Sequence, residues 1–219
     1  MINKICFVSD LHGHLPKIPD CDILCIAGDI CPVWNHDLDY QFNWLRVIFR
    51  DWLEKLVERG IKVVGIAGNH DLIAEESPEV FDLLTLPWTY LENSGAEIEG
   101  LKFWGSPYSN LFGNWAFMEK DEDLAEIWEK IPDDTNILMV HGPMFGYLDY
   151  SLYGNTHTGS KTLLKKVEKL SKLGNLKVLH TGHIHSEYGM TDFNKIICVN
   201  GTLVNEDYQM VYNPLEINI

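Results

Sequence analysis

The residues best suited to chemistry form a tetrapeptide, Gly68-Asn69-His70-Asp71, that follows an apolar run over residues 62–67. An Asn carbonyl oxygen binds a hard or borderline cation without adding charge, and a neighbouring imidazole can donate a proton to the group that this cation polarises. The same four residues also suit a surface turn, because Gly-Asn favours positive φ and Asp often begins a helix. The tetrapeptide therefore indicates a metal site only if other ligands accompany it.

Five apolar runs share one feature, since each stops at a Gly or Ser turn that carries an acid, an amide or an imidazole. The runs and their polar ends are residues 5–9 with Asp10 and His12, 23–27 with Asp29, 62–67 with Asn69 and His70, 136–140 with His141, and 176–181 with His183 and His185. Short apolar runs are typical of strands that are buried on both faces. The carboxyl ends of such strands border the ligand crevice of α/β proteins, so these side chains are predicted to converge.

The convergent set, apart from His70, contains two carboxylates, one amide and four imidazoles. This mixture favours a borderline divalent metal, because Mg²⁺ and Ca²⁺ prefer oxygen shells and thiolate-binding metals require Cys. Mn²⁺ is the first choice, with Fe, Zn, Co or Ni as alternatives. Seven ligands exceed the needs of one ion, whereas two ions that share a carboxylate would use all of them. Metals about 3.5–4 Å apart are a recurring arrangement for in-line attack on phosphorus.

The rest of the chain predicts the elements that hold these ends in place. Apolar spacings of three and four predict an amphipathic helix over residues 40–59, with Gly60 as its stop. Further helices are predicted from the cap Ser77 through Pro78 to residue 84, over residues 121–130, and from the cap Ser160 to residue 173. Further strands are predicted within residues 89–107, including 101–104, and over 188–191, 196–200 and 209–212. No repeat or linker interrupts this α/β pattern, so one domain is predicted over residues 1–219.

Composition argues against several classes of function. Hydrophobic residues form 46% and charged residues 22% of the chain, and no apolar stretch approaches the roughly 20 residues of a membrane-spanning helix. A net charge of -15 argues against a long nucleic acid as partner, because such binding relies on clustered Lys and Arg. Five cysteines without a Cys-x-x-Cys pair, and no leader segment after Met1, predict a cytoplasmic protein. A small anionic substrate stays compatible with the negative net charge if a bound cation reverses the local field.

Taken in chain order, the polar motifs at the ends of the five apolar runs resemble the five signature blocks of the calcineurin-like metallophosphoesterase superfamily. The blocks are Asp10-x-His12, Gly28-Asp29, Gly68-Asn69-His70, His141 and Gly182-His183-x-His185. Four further segments, at residues 105–107, 113–117, 137–143 and 188–190, resemble the small brain metallophosphoesterase-domain proteins and their bacterial and viral relatives. The metal-binding blocks span residues 10 to 185 and are the more specific match.

This resemblance implies a four-layer α/β/β/α sandwich, in which two mixed sheets are flanked by helices. It also implies a binuclear metal site, with Asp10, His12 and His185 on one metal, Asn69, His141 and His183 on the other, and Asp29 as the bridge. In such a site a hydroxide between the metals attacks phosphorus directly, without a covalent enzyme intermediate. His70 would face the leaving oxygen as a proton donor or charge stabiliser.

Two departures from the superfamily bear on the substrate. The bridging-Asp block of the protein Ser/Thr phosphatases resembles Gly-Asp-x-x-Asp-Arg, in which the later Asp orients the catalytic His and the Arg binds a doubly charged phosphate. Here these two positions are Pro32 and Val33. Without the Arg, a phosphodiester with one charge fewer is the easier substrate. The missing Asp also leaves the partner of His70 open, with Asp71 as a neighbour in sequence.

The sequence thus predicts a binuclear metal-dependent phosphodiesterase for a small ester, with a cyclic nucleotide or another nucleotide diester as a candidate substrate. A nuclease, a phosphomonoesterase and a non-catalytic scaffold are the alternatives, and the scaffold would require ligand losses that the sequence does not show. Residues that could contact the substrate are His14, the aromatic residues Tyr108, Phe112, Trp115 and Phe117, and the loop residues Asp149, Tyr150 and Tyr153. His180, in mid-strand, is predicted to be a core residue with hydrogen-bonded nitrogens.

Overall fold

The computed structural model describes residues 4–219, so residues 1–3, on which part of the prediction about the N-terminus falls, lie outside the described residues. The helices are α1 (Leu38–Trp44), α2 (Arg50–Glu58), α3 (Leu72–Glu76), α4 (Pro78–Asp82), α5 (Asp121–Trp128) and α6 (Lys161–Leu173). The strands are β1 (Lys4–Val8), β2 (Ile23–Ala27), β3 (Lys62–Ile66), β4 (Thr89–Tyr90), β5 (Ser94–Ile98), β6 (Leu101–Ser106), β7 (Ser109–Asn110), β8 (Met118–Glu119), β9 (Ile137–Val140), β10 (Tyr150–Ser151), β11 (Thr156–His157), β12 (Val178–Thr181), β13 (Gly189–Phe193), β14 (Ile196–Asn200) and β15 (Leu215–Asn218). None of the helices within residues 4–219 has both the length and the apolar character that crossing a membrane requires.

Two large mixed sheets form the centre of the fold. The first has the strand order β15-β1-β2-β3-β4, in which β1 to β4 are parallel neighbours and β15 is antiparallel to β1. The second has the order β13-β14-β12-β9-β6-β5, with parallel pairing from β14 to β6 and an antiparallel strand at each edge. The five predicted polar-ended runs correspond to β1, β2, β3, β9 and β12.

Three apolar clusters fill the spaces between four layers. Because successive side chains of a strand point to opposite faces, Phe7 of β1 packs between the two sheets, together with Met139 of β9, whereas Val8 faces the helices. On that outer face Val8 lies in one cluster with Phe49. The second sheet packs Leu138 and its neighbours against α5 and α6. The predicted α/β/β/α sandwich is therefore confirmed.

The helix predicted over residues 40–59 is confirmed, but its middle is not regular α-helix. A π-helical segment, Leu45–Phe49, joins α1 to α2 without a break. The helical run begins after Asp37, whose side chain accepts a hydrogen bond from the Tyr40 N–H. Leu45 and Phe49 at the ends of the π-helical segment are buried, so it still presents apolar side chains to the first sheet. A π segment widens the turn locally, a change that the spacing of apolar residues does not reveal.

One sequence-predicted element is wrong. Residues 209–212 do not form a strand, because only an isolated bridge joins Met210 to Val204, and the last strand of the fold is β15. Here the side chain of Asn205 accepts hydrogen bonds from the N–H groups of Asp207 and Gln209, which folds the backbone into a turn. The helix predicted to begin at Ser77-Pro78 is confirmed as α4, with Ser77 in the capping position and Pro78 as the first helical residue, although α4 ends at Asp82 and the Ser77 side chain makes no capping hydrogen bond.

The C-terminal helix follows its prediction closely. Ser160 caps α6 by accepting a hydrogen bond from the Leu163 N–H at 2.9 Å, and Gly174 ends the helix in the left-handed conformation. The Ser160 hydroxyl also contacts Asp121 at the start of α5. The cap therefore joins the two helices of the fourth layer.

His180 in β12 is fully buried, as predicted for a core residue, but its nitrogens are not hydrogen-bonded. Among the described residues neither ring nitrogen has a hydrogen-bond partner. The ring packs edge-on against Phe7, with 5.0 Å between the ring centroids. Burial lowers the pKa of His180 to about 3. The side chain therefore serves as a neutral aromatic filler between the layers.

His180 should make the metal-free protein sensitive to acid. Its pKa in the folded state lies below the unfolded value of 6.5, so the unfolded chain binds the extra proton, and stability is lost as the pH falls from 6.5 towards 3. His180→Leu should flatten this dependence by up to about 1.4 kcal/mol per pH unit. Urea unfolding of both proteins in EDTA, at several pH values across this window, measures the difference. Identical slopes would contradict the prediction.

Candidate metal centre

The polar side chains that follow β1, β2, β3, β9 and β12 lie together at one edge of the two sheets. Backbone hydrogen bonds join the strand ends, because the Asp10 N–H donates to the Gly28 carbonyl at 2.9 Å and the Gly182 N–H donates to the His141 carbonyl at 3.0 Å. All seven residues predicted as ligands, and His70 beside them, lie in this one cluster: Asp10, His12, Asp29, Asn69, His141, His183 and His185.

Asp10, His12 and His185 form a group of candidate metal ligands, called the first ligand group below. Their potential ligand atoms all lie within 4.8 Å of one another. His185 Nε2 is 3.4 Å from Asp10 Oδ1 and 3.3 Å from His12 Nε2. Imidazole nitrogens and a carboxylate oxygen that face a common point are the donor set of a borderline divalent cation.

Asn69, His141 and His183, predicted as ligands of the other metal, also lie together and are called the second ligand group below. The amide oxygen of Asn69 lies 2.9 Å from His141 Nε2 and 2.8 Å from His183 Nδ1. His141 Nδ1 lies 2.8 Å from the carbonyl oxygen of Ala27, which only accepts hydrogen bonds, so Nδ1 carries the hydrogen. The opposite nitrogen, Nε2, faces the centre, the orientation that a metal ligand needs, and a metal that binds there would replace the proton on Nε2.

Asp29 lies between the two ligand groups. Its Oδ2 atom is 3.6 Å from His12 Nε2 in the first group and 3.4 Å from His141 Nε2 in the second. Asp10 also lies near both, because it forms a second set of mutually close ligand atoms with Asp29 and His141. The position of Asp29 is the one a bridging ligand would need, and its role as a bridge stays a prediction.

The charges of the centre favour a bound cation. Asp10 and Asp29 are 0% and 2% exposed, and the groups that lower their pKa values against the effect of burial are imidazoles. Burial lowers the pKa of His12 and of His183 to about 3, so both are neutral and able to ligate a metal. The pKa of His141 is raised to about 9 by Asp29, despite burial. Two buried carboxylates thus attract positive charge, which suits divalent ions.

The backbone of the centre is held in unusual conformations. Four of the non-glycine residues, Asp10, His12, Asp29 and His183, have positive φ values of 51°, 43°, 52° and 69°. Such conformations cost about 1–3 kcal/mol each and persist where surrounding contacts compensate for them, often at functional sites. Gly68 permits the close approach of the turns, because a Cβ atom there would lie 2.4 Å from the Asp29 nitrogen.

Asp71 supports the centre and does not contact His70 through its side chain. Its carboxylate accepts hydrogen bonds from the backbone N–H groups of Ile30 at 3.0 Å, Cys31 at 2.8 Å and Gly68 at 2.8 Å. In return, Asp29 Oδ1 accepts a hydrogen bond from the His70 N–H at 2.8 Å. The turns that follow β2 and β3 are therefore joined by reciprocal carboxylate–amide bonds.

His70 lies beside the first ligand group, against an aromatic wall. The ring centroids are 5.0 Å from His12 and 4.4 Å from Trp115. His36 Nε2 lies 3.2 Å from His70 Nδ1. His36 is therefore the side-chain partner of His70 that the sequence analysis left open. Sequence reasoning did not assign a role to His36, because it lies in an irregular loop whose path no periodic pattern predicts.

Tyr208 is a second site residue that sequence reasoning missed. Its ring packs edge-on against His12 and His185, with centroid distances of 4.8 and 5.3 Å. The structure places His14 Nε2 3.0 Å from the Tyr208 carbonyl oxygen, so His14 holds the loop that carries this ring. The unusual feature of this loop is the positive φ of 58° at Tyr208, and a backbone angle of this kind cannot be read from the sequence.

The centre opens into a cleft of about 780 Å³. Aromatic side chains form much of its wall: Tyr108, Phe112, Trp115, Tyr153 and Tyr208. Among the described residues that line the cleft there is no Lys or Arg, and Glu206 adds an acidic group. The cleft therefore suits a planar or apolar substituent better than an additional phosphate.

Three residues that the sequence suggested as substrate contacts lie behind this wall. Phe117 is 1% exposed and packs against Tyr108 in the core. Asp149 is buried, accepts hydrogen bonds from two backbone N–H groups of its own loop and lies 2.6 Å from His157 Nδ1. Tyr150 packs against His157 and does not line the cleft. These side chains shape the loops from which the cleft is built.

Fold and centre together define the class of protein. The model of the calcineurin-like phosphoesterase family matches residues 3–187, and the chain belongs to this family of metal-dependent phosphoester hydrolases. The chain is 29% identical to UPF0046 protein K07C11.7 from Caenorhabditis elegans, over 97% of this chain and 73% of the relative. It is also 29% identical to Metallophosphoesterase domain-containing protein 1 from Homo sapiens, over 97% of this chain and 69% of the relative. The superfamily suggested by the motifs is confirmed.

A solved structure shows the same fold at low sequence identity. A dimetal phosphatase from Danio rerio superimposes with a TM-score of 0.55 and 10% identity, covering 93% of this chain and 87% of that chain. At this identity the likeness concerns the fold alone.

Loss of the Asp71 carboxylate should weaken the whole centre. Asp71→Ala leaves three buried N–H groups without an acceptor, at about 1–3 kcal/mol each, so the free energy of unfolding should fall by about 3 kcal/mol or more. The affinity for Mn²⁺ should fall as well, because the turns carrying Asp29 and Asn69 lose their connection. Urea unfolding and calorimetric Mn²⁺ titration measure the two effects.

The exposed residue Asp82 provides the matched control for this substitution. Asp82→Ala should change the unfolding free energy by no more than about 0.5 kcal/mol, as expected for an exposed position. If Asp71→Ala were as stable as Asp82→Ala, the supporting role of Asp71 would be wrong.

Proposed function

We propose that this chain is a binuclear metal-dependent phosphodiesterase that acts on a small phosphodiester. The observation that carries this proposal is the pair of ligand groups on either side of Asp29, at the head of a cleft lined by aromatic side chains and without Lys or Arg. The first ligand group would hold one divalent ion and the second group the other, with Asp29 shared. Mn²⁺ is the first candidate, and Fe, Zn, Co or Ni are alternatives.

Ions bound there would supply Lewis-acid chemistry, by polarising the phosphoryl oxygens and lowering the pKa of water. Hydrolysis adds one water across a P–O ester bond: the hydroxyl goes to phosphorus and a proton goes to the leaving oxygen, which yields a monoester and an alcohol. His70 lines the cleft beside the first ligand group and is the residue proposed to assist the leaving oxygen, by donating a proton or by stabilising its charge. The backbone N–H of His70 donates a hydrogen bond to Asp29, and the His70 carbonyl accepts one from the Gln41 side chain.

The charge of the cleft supports a diester as the substrate. A phosphomonoester dianion needs more positive charge than a diester, and the Gly-Asp-x-x-Asp-Arg block of the protein Ser/Thr phosphatases has an Arg where this chain has Val33. The aromatic wall offers stacking surfaces for a planar group, and base–aromatic stacking contributes about 1–3 kcal/mol per base. A cyclic nucleotide or another nucleotide diester is therefore the candidate substrate. Cytoplasmic location and a single domain over residues 1–219 stay predictions of the sequence.

The Mn²⁺-loaded protein should prefer diesters to monoesters. We expect higher kcat/KM for bis-p-nitrophenyl phosphate than for p-nitrophenyl phosphate, and turnover of 2′,3′- or 3′,5′-cyclic nucleotides. Steady-state assays at equal metal loading measure this preference. A preference of about tenfold or more for the monoester, equal to 1.4 kcal/mol in the barrier, would contradict the proposal. Cleavage of DNA or RNA in preference to the small diesters would favour the nuclease alternative.

Two neighbouring substitutions should separate metal binding from proton transfer. Asn69→Ala should lower the affinity of the second metal, because its oxygen faces both His141 and His183. His70→Ala should leave the metal content unchanged and lower turnover by about 10²–10⁴-fold, the scale of general acid catalysis. Elemental analysis and single-turnover kinetics test the pair. Equal metal loss in both variants would contradict the assigned roles, and fewer than one ion per chain in the unmodified protein would favour the scaffold alternative.

A further inference from the structure

His36 is the one described side chain with a polar atom within hydrogen-bond distance of the His70 ring. The two nitrogens, His36 Nε2 and His70 Nδ1, are 3.2 Å apart, although the residues are 34 positions apart in sequence. The rings are tilted by 35° with 5.4 Å between their centroids. We infer that His36 is a positioning residue for His70: it holds the His70 ring through Nδ1 and directs Nε2 at the leaving oxygen of the substrate. This inference rests on the proposed function.

Trp115 completes the support of this pair. Its ring lies 4.4 Å from the His70 centroid and 5.0 Å from the His36 centroid, so it covers both imidazoles on the cleft side of the loop. Contacts with Trp115 restrict the tilt of the His70 ring, and the hydrogen bond to His36 restricts its rotation. A catalytic side chain held in this way loses little freedom when the substrate binds.

The other residues that could hold His70 are already committed or lack a polar side chain. Asp71 accepts hydrogen bonds from three backbone N–H groups and does not contact the imidazole. Pro32, at the position where related phosphatases carry the orienting Asp, has no donor or acceptor in its side chain. Among the described residues around His70, only His36 is left for this task.

A histidine in this place has a chemical consequence that a carboxylate would not have. A carboxylate only accepts a hydrogen bond, so it keeps the hydrogen of a neutral His70 on Nδ1 and leaves Nε2 without one. The Nε2–H of His36 can instead donate to Nδ1, and a neutral His70 then carries its hydrogen on Nε2. The neutral ring is thus able to donate a hydrogen bond from Nε2 to the leaving oxygen and stabilise its charge, while the proton of the product alcohol comes from the water that is split. No further negative charge is added beside Asp10 and Asp29.

Substrates with different leaving groups test this inference. A nitrophenolate leaves readily without a hydrogen-bond donor, whereas the more basic ribose alkoxide of a 2′,3′-cyclic nucleotide depends on one. His36→Leu should therefore lower kcat for the cyclic nucleotide by about 10–100-fold, the range for outer-shell partners of functional imidazoles. Its effect on bis-p-nitrophenyl phosphate should be several-fold smaller, with the KM values and the Mn²⁺ content unchanged. An equal fall for both substrates, or loss of metal, would overturn the inference.

His36→Gln is the matched variant, because its side-chain amide can still donate a hydrogen bond to His70 Nδ1. It should restore most of the turnover that His36→Leu loses, and a Gln variant as slow as the Leu variant would count against the hydrogen bond. In a His70→Ala background, His36→Leu should have no further effect on kcat, since residues that act as one unit are not additive. A full additional loss in that background would overturn the positioning role.

A spectroscopic measurement separates failure of this inference from failure of the proposed function. ¹⁵N–¹H long-range correlation spectra of the diamagnetic Zn²⁺-loaded protein report which nitrogen of His70 carries the hydrogen. We expect Nε2–H in the unmodified protein and a change in His36→Leu, even if neither diester is hydrolysed. Nδ1–H on His70 in the unmodified protein, or spectra that His36→Leu leaves unaltered, would overturn the inference whatever the substrate.

Discussion

The reciprocal bonds between two turns are the constraint on which the rest of the centre depends. Asp71, in the turn after β3, accepts hydrogen bonds from the backbone of the turn after β2, and Asp29 in that turn accepts one from the backbone of His70. Burial and the neighbouring Asp29 raise the pKa of Asp71, and the N–H groups that donate to its carboxylate oppose this rise. The same bonds hold Asp29 between the two ligand groups, so one interaction sets both the geometry and the charge of the centre.

The charge of the centre explains several features that lie far apart in sequence. Asp10 and Asp29 are buried and have imidazoles as their neighbours, which makes a divalent cation the natural partner of this edge of the sheets. The cleft beyond it has aromatic walls and no Lys or Arg among its described residues. Positive charge is thus expected at the head of the cleft alone, and the body of the cleft selects by shape and stacking.

Loops supply the groups that surround His70. His36 comes from the loop before α1, Trp115 from the loop after β7, and Tyr208 from the turn before β15. Each is placed by contacts between segments distant in sequence, such as the bond from His14 to the Tyr208 carbonyl. Contacts between distant segments restrict the conformations of these loops, and the spacing of apolar residues does not predict such contacts.

The sequence by itself determined the α/β pattern, the five strand ends and the set of candidate ligands from Asp10 to His185, because buried parallel strands are continuous apolar runs whose polar ends stand out. The sandwich of two sheets was predicted from the resemblance to the superfamily. Its errors came where local hydrogen bonding overrides apolar pattern, as at the turn organised by Asn205. Only the tertiary structure decided that Asp71 serves the backbone and that His36 contacts His70. Those choices depend on distances between loops, which arise only once the two sheets have packed together.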